Sequence, residues 1–193
     1  MNKFDQAVIE AKKIMDTASD PVHASSHSQS VENIASEIVR EHPEANWNYI
    51  RTAIWFHDTG RTVSEDHDSI SVSFAEEVFD KIGMNKNDAK EILKIIETHG
   101  TSYGVKNLEE KIMYDADKID LFSIYRWEIA IKAKANRSIE LAIELLPQVK
   151  NNLFTKQGME IYKSQVKKFI EFIEKTDIIE FEKYKLKLLK LEL

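Results

Sequence analysis

Cysteine is absent from this sequence, so a metal ion held by it must be held by histidine, aspartate or glutamate. Imidazole and carboxylate together suit a divalent ion such as Mn, Fe, Co, Ni, Zn or Mg, and such donors recur along the first two thirds of the chain. The densest stretch is Ile54-Trp55-Phe56-His57-Asp58-Thr59-Gly60-Arg61, where an apolar run delivers a His-Asp doublet into a glycine turn. Neighbouring residues on a helix do not face one another, so a site using both side chains must lie where the helix stops. Gly60 marks that stop. The plainer reading is a histidine suited to a helix C-terminus, followed by an aspartate that caps a turn.

Several other positions could join the doublet. His27 stands one turn before Val31, on the side of the apolar stripe Val31, Ile34, Ala35, Ile38 and Val39. It is either a hydrogen-bonded core histidine or a ligand, and His23, one turn earlier, reads as its support. His67 opens a helix, where the dipole disfavours a charged imidazole but tolerates a neutral, metal-bound one; an exposed cap is the alternative. His99 repeats the device of His57, because an apolar helix with Ile92, Leu93, Ile95 and Ile96 ends at Thr98-His99-Gly100. A simple C-terminal histidine would also suit that place. In Tyr114-Asp115-Ala116-Asp117-Lys118-Ile119-Asp120 the carboxylates are flanked by Ile112-Met113 and Leu121-Phe122. At least one must turn inward, where it has to be paired, hydrogen-bonded or metal-bound. Asp117 is the expected inward carboxylate and Asp120, one turn on, its support.

Helices have to carry these side chains, and the composition favours them. With 42% hydrophobic and 31% charged residues, but only 5 Gly and 3 Pro, the expected class is all-α. No repeat, linker or low-complexity segment interrupts the chain, and 193 residues fit a single domain, 1–193, with a substantial core. The apolar periodicity predicts helices over about 4–16, from His27 through Val39, from Trp47 to the doublet and from His67 to Gly83. A helix capped by Asn87-Asp88 and one beginning near Leu108 follow. Later helices are expected over Ile129–Lys134, over Ile139–Val149 with an interruption at Pro147, over Met159–Ile173, and from Ile178 onward. This last third holds no histidine and reads as scaffold, with Tyr184 to Leu193 the candidate contact for a homo-oligomer. A formal charge of -6 argues against a broad phosphate-backbone surface, so general nucleic-acid binding is not expected, although one small basic pocket is compatible with it. No apolar signal core follows Met1, and no run approaches the roughly 20 residues that span a bilayer. No membrane association and a cytoplasmic location are the expectations.

Read in order, Asp20, His23, His27 and Val31 form an Asp-x-x-His-x-x-x-His-x-x-x-Val opening, His57-Asp58-Thr59-Gly60 follows, and Tyr114 to Asp120 completes the set. With these three elements the sequence resembles the HD-domain superfamily of metal-dependent phosphohydrolases, over about Asp20 to Phe122. The resemblance implies a helical bundle with an HD core over approximately 20–125 and a helical extension over approximately 126–193. It implies His27, His57, Asp58 and Asp117 as metal ligands. In members that hold two ions, His67 and His99 are the implied additional ligands and Asp58 the bridge. The implied activity is hydrolysis of a small phosphate ester or nucleotide by metal-activated water, with no protein nucleophile. Asp58, Arg61 and Lys118 are the implied catalytic positions, with Arg61 and Lys118 binding phosphate oxygens; surface charge is the plainer reading of the two cations. Glu65 and Asp66 are candidate proton carriers. The chain lacks the Gly-Tyr-Pro element of the cyclic-di-guanylate branch and has Thr59 where the nucleotidase branch carries glutamate, so neither substrate is implied. The alternative is a non-catalytic HD module that senses a nucleotide or metal, and a purely structural helical protein is the third reading.

Overall fold

The computed structural model describes residues 1–17, 21–64, 67–191 and 193, so Asp20, Glu65 and Asp66 lie outside the described residues. Among those described, the chain forms ten α-helices and no strand, in agreement with the composition. They are α1 (Lys3–Met15), α2 (Ser25–Val39), α3 (Trp47–Phe56), α4 (Asp68–Ile82), α5 (Lys86–Thr98), α6 (Leu108–Asp120), α7 (Ile124–Lys132), α8 (Asn136–Asn152), α9 (Lys156–Lys175) and α10 (Glu182–Leu188). Short 3-10 turns at Pro21–His23, Thr59–Thr62 and Ile179–Phe181 lie between them.

Local signals explain several of the boundaries. Asparagine side chains accept backbone N–H groups in the first turn of α1 (Asn2), α3 (Asn46), α5 (Asn85) and α6 (Asn107). The cap of α5 is therefore Asn85, not the expected Asn87-Asp88, whose own N–H groups are the ones being capped. Gly83 closes α4 with φ 65°, a left-handed angle that glycine adopts without steric cost. Helix α8 differs from expectation because it continues through Pro147. The missing N–H and ring clash cost about 3 kcal/mol in a helix interior, and packing of Ile139 before the proline and of Leu146 and Val149 around it holds the helix together. Helix α7 begins at Ile124, five residues before the sequence expectation, and so brings Trp127 into the core.

The core is arranged so that several helix ends meet. Helix α3 packs on α1, α2 and α5; α2 packs on α6, and α4 on α5 and α1. Ile50, Ile54 and Phe56 of α3 are buried with Ile92, Ile95 and Ile96 of α5 and with Ile112, Met113 and Ile119 of α6. Helix α9 lies across α6 and α2, burying Ile161, Tyr162 and Phe169. A buried carboxylate ties this part of the chain in: Asp115 accepts the backbone N–H groups of Phe154 and Thr155 and the Thr155 hydroxyl, at 2.7–2.9 Å. Thr155 in turn caps α9, and a Cβ at Gly158 would lie 2.6 Å from Asp115 Oδ2.

Candidate metal centre and its cavity

Two helix starts and three helix ends converge at one end of the bundle. His27 lies in the first turn of α2, His57 directly after α3, His67 directly before α4, His99 directly after α5, and Asp117 in the last turn of α6. All five are buried, as is Asp58. His27 Nε2 lies 3.2 Å from His57 Nε2, 3.3 Å from Asp117 Oδ1 and 3.5 Å from Asp58 Oδ2. His57 Nε2 is 3.5 Å from the same Asp58 oxygen and 3.8 Å from Asp117 Oδ1. Asp58 turns its other oxygen, Oδ1, to a second group, 2.9 Å from His67 Nε2. One atom each from Asp58, His67 and His99 lies within 4.8 Å of the other two. The doublet thus faces two donor clusters, with one Asp58 oxygen toward each.

The backbone around the doublet explains how adjacent residues serve one place. After α3 the chain tightens into the 3-10 turn Thr59–Thr62, which rotates Asp58 away from the helical spacing. Gly60 is not the left-handed helix terminus that the sequence suggested. Its role is close approach: a Cβ there would lie 2.3 Å from the His67 carbonyl oxygen and 2.9 Å from the Ser71 nitrogen. The Gly60 N–H donates to Ser71 Oγ at 2.9 Å, so the turn after α3 is fastened to the start of α4. This contact places His67 beside Asp58, nine positions away in sequence.

Hydrogen bonds on the far side of the rings fix which nitrogen is available. His57 Nδ1 donates to the Ile54 carbonyl and His99 Nδ1 to the Ile96 carbonyl, each at 2.6 Å, so the same device closes α3 and α5. His27 Nδ1 donates to Asp120 Oδ2 at 2.7 Å, in the supporting role expected of Asp120. With the proton held on Nδ1, the neutral ring presents an Nε2 lone pair to the cluster. Burial pushes His57 down to about 3 and also lowers His99, so both rings are neutral at pH 7. Burial and the Arg126 charge also push His27 down, but hydrogen bonds to Asp117 and Asp120 outweigh them and raise it to about 9. Burial raises the Asp58 carboxyl, yet His57, the His67 hydrogen bond and Arg61 hold it well below the usual carboxylate range. Asp117 is held low in the same way, against burial, by Lys118 and His27.

The donor set fits a divalent cation. Two donors sharing one ion at about 2.1 Å stand roughly 3.0–3.4 Å apart, depending on the angle between them, and the His27, His57, Asp117 and Asp58 atoms are spaced 3.2–3.8 Å apart. Buried carboxylates next to lone pairs require positive charge among them.

A cavity of about 490 Å³ opens above these clusters, bordered by His27, Asp58, His67, His99 and Asp117. Arg61 and Lys118, the cations expected to bind phosphate, both border it. Arg61 Nε donates to Asp58 Oδ1 at 2.8 Å, and Lys118 Nζ to Asp117 Oδ2 at 2.7 Å. His23 borders the cavity and accepts a hydrogen bond from Arg126 Nη2 at 3.0 Å. Several bordering residues were not anticipated. Asp68 lies with Oδ1 3.1 Å from His67 Nε2; Arg126 donates to Asp120 at 3.3 Å; and Arg137, Leu141, Ala142 and Leu145 form the far side. The segment read as scaffold therefore supplies one wall of the cavity. A signal for it was available, because Leu141, Ala142 and Leu145 beside Ile139, Leu146 and Val149 make α8 apolar over a wider arc than one packing face needs.

The model of the HD domain family matches residues 24–121. Among solved structures, a predicted HD superfamily hydrolase from an uncultured Thermotogales bacterium is similar, with a TM-score of 0.64 and 22% identity over 86% of this chain and 88% of that one. A Listeria innocua protein is similar over the full length of both chains, with a TM-score of 0.66 and 21% identity. A Lactobacillus plantarum protein reaches a TM-score of 0.72 with 16% identity, over 89% of this chain and 93% of that one. At these identities the structural likenesses show a common fold. No curated protein sequence matches the chain.

Proposed function

The chain belongs to the HD-domain family, and from that premise we propose that it is a metal-dependent phosphohydrolase acting on a small phosphate ester or nucleotide. The observation that carries this reading is the convergence of buried His27, His57, Asp58 and Asp117, with His27, Asp58 and Asp117 bordering an open cavity and each ring turned by a partner on its Nδ1 side. These four residues would hold a divalent cation, and His67 and His99 would hold a second, with Asp58 shared. Bound there, such a cation supplies Lewis-acid polarisation of a phosphoryl oxygen and activation of water near neutral pH.

The chain's own residues would do the rest. Arg61 and Lys118 are each tethered through one N–H to a ligand carboxylate, and both residues border the cavity. A guanidinium has five N–H donors and an ammonium three, so both retain groups for phosphate oxygens. The tether fixes where those donors stand before substrate arrives, which removes an ordering cost from binding. Burial of the histidines keeps His57 and His99 neutral and ready to ligate.

The test is elemental analysis of the purified chain together with phosphate release from a panel of nucleotides, sugar phosphates and simple phosphomonoesters. Bound divalent metal and turnover that a chelator abolishes are expected. A chain that holds no metal and releases no phosphate with Mn, Fe, Co, Ni, Zn or Mg added would overturn the reading. Metal content also decides between one ion and two, because His67→Ala should lower the metal held per chain without emptying the cluster around His27 and His57.

A further inference from the structure

The metal-centre residues and the cavity wall come from different parts of the chain. His27, His57, Asp58, His67, His99 and Asp117 all fall inside the stretch matched by the family model, 24–121. The wall opposite them comes almost wholly from beyond it, from α7 and α8. On α8, Ser138, Leu141, Ala142 and Leu145 have the i, i+3, i+4, i+7 spacing of one helical stripe, and all four border the cavity. Ile139 and Leu121 join them. Leu141 is 50% exposed and Leu145 45% exposed, so two large aliphatic side chains stand open beside the ligand set. Helix α8 buries Leu146 and Val149 against its neighbours, so its packing does not need the second stripe.

The chemistry of this wall separates classes of phosphate ester. A nucleobase is held by stacking on an aromatic face and by hydrogen bonds to its edge. Apart from the histidines, Trp127 is the aromatic residue bordering the cavity among the described residues. Its indole N–H is taken by the Leu121 carbonyl at 2.7 Å, its ring packs against Phe169, and it is 3% exposed. Arg126 is engaged with Asp120 and His23. What the far side offers a ligand is therefore mostly aliphatic carbon, together with Arg137 and the Ser138 hydroxyl. A volume of about 490 Å³ lies in the range of sites that take an organic ligand of roughly 300–1,000 Å³, and exceeds what a phosphate group alone would fill.

We propose that Leu121, Ile139, Leu141, Ala142 and Leu145 bind the aliphatic body of a phosphomonoester whose phosphate lies between Arg61 and Lys118, so that α7 and α8 set the substrate class. This rests on the phosphohydrolase reading for the position of the phosphate. The wall's contribution is non-directional and scales with the apolar area it covers.

The experiment is equilibrium binding of ethyl-, butyl- and hexylphosphonate, which carry the anion but no hydrolysable ester bond, to the full chain as purified with its metal. Affinity should rise with length, by up to about fourfold for each methylene that is fully covered. In Leu141→Asn/Leu145→Asn the rise should flatten while metal content and thermal unfolding stay as in the native chain. Equal affinity along the series, no binding at any length, or tighter binding of a nucleoside monophosphate than of hexylphosphonate would overturn the proposal. Turnover of phosphomonoesters serves as the separate arm. Length-dependent binding without turnover of any ester keeps the wall's role and removes the phosphohydrolase reading, whereas turnover indifferent to the body does the reverse.

Discussion

Replacing Asp120 with asparagine should weaken metal binding although Asp120 is not expected to touch the ion. The carboxylate is 1% exposed and receives three donors: His27 Nδ1 at 2.7 Å, Ser30 Oγ, and Arg126 Nη1 at 3.3 Å. An amide has one oxygen to accept with and an NH2 group that must itself donate. If that NH2 group faces His27, the ring has to move its proton to Nε2, which removes the lone pair offered to the ion. If the oxygen faces His27 instead, Ser30 meets a donor where it had an acceptor, and the charge that strengthens the His27 bond is gone in both cases. Loss of such an orienting partner lowers metal affinity by about 10–100-fold, or roughly 1.4–2.8 kcal/mol. The buried setting and the shared Arg126 contact place Asp120→Asn toward the upper end. The assay is competition with a chromophoric chelator, with circular dichroism to establish that the variant is folded. Ser30→Ala is the comparison, because it removes a hydrogen bond to Asp120 without altering the His27 tautomer, and it should change affinity by less than about threefold. A folded Asp120→Asn protein that binds metal within threefold of the native chain would refute the tautomer argument.

Three further outcomes follow from the same geometry. Gly60→Ala places a Cβ 2.3 Å from the His67 carbonyl oxygen, so it should destabilise the fold by about 1–3 kcal/mol or more and reduce metal at the His67 and His99 cluster first; denaturant titration and metal analysis unchanged from the native chain would contradict this. Asp115→Ala leaves two buried backbone N–H groups and the Thr155 hydroxyl without their acceptor. It should cost about 3–5 kcal/mol in urea unfolding, and a loss below 1 kcal/mol would show that the α8–α9 turn is held by other means. Arg61→Ala and Lys118→Ala should each lower kcat/KM by about 10–100-fold on a phosphate ester, the equivalent of one charge-assisted hydrogen bond, with metal still bound; steady-state kinetics showing no loss for either would remove it from the phosphate-binding set.

The candidate positions were legible in the sequence because each stands at a place that the apolar periodicity defines, and the resemblance to the HD-domain family is what singled them out as one set. His27 follows from the stripe through Val31, His57 and His99 from apolar helices that stop, and Asp117 from a carboxylate run trapped between Ile112-Met113 and Leu121-Phe122. The cavity wall was not legible in the same way. Whether Leu141 and Leu145 face a neighbouring helix or an open space depends on how α8 lies against the rest of the bundle, and a periodic pattern gives a face without saying what it faces. Arg126 gave no signal either, since its acceptors Asp120 and His23 lie on other elements that meet it only after the turn between α6 and α7 sets its position.

From sequence alone came the all-α class, because composition and periodicity act residue by residue along a helix, and a set of candidate histidines and aspartates that the resemblance to the HD-domain family put in order as metal ligands. Tertiary structure alone decided that the Asp58 oxygens face two different clusters, that Gly60 is needed for close approach and not for a left-handed turn, and that the C-terminal helices close the cavity. Each of these depends on atoms distant in sequence meeting within a few ångströms, and only the packing of helices α2 to α8 fixes those meetings.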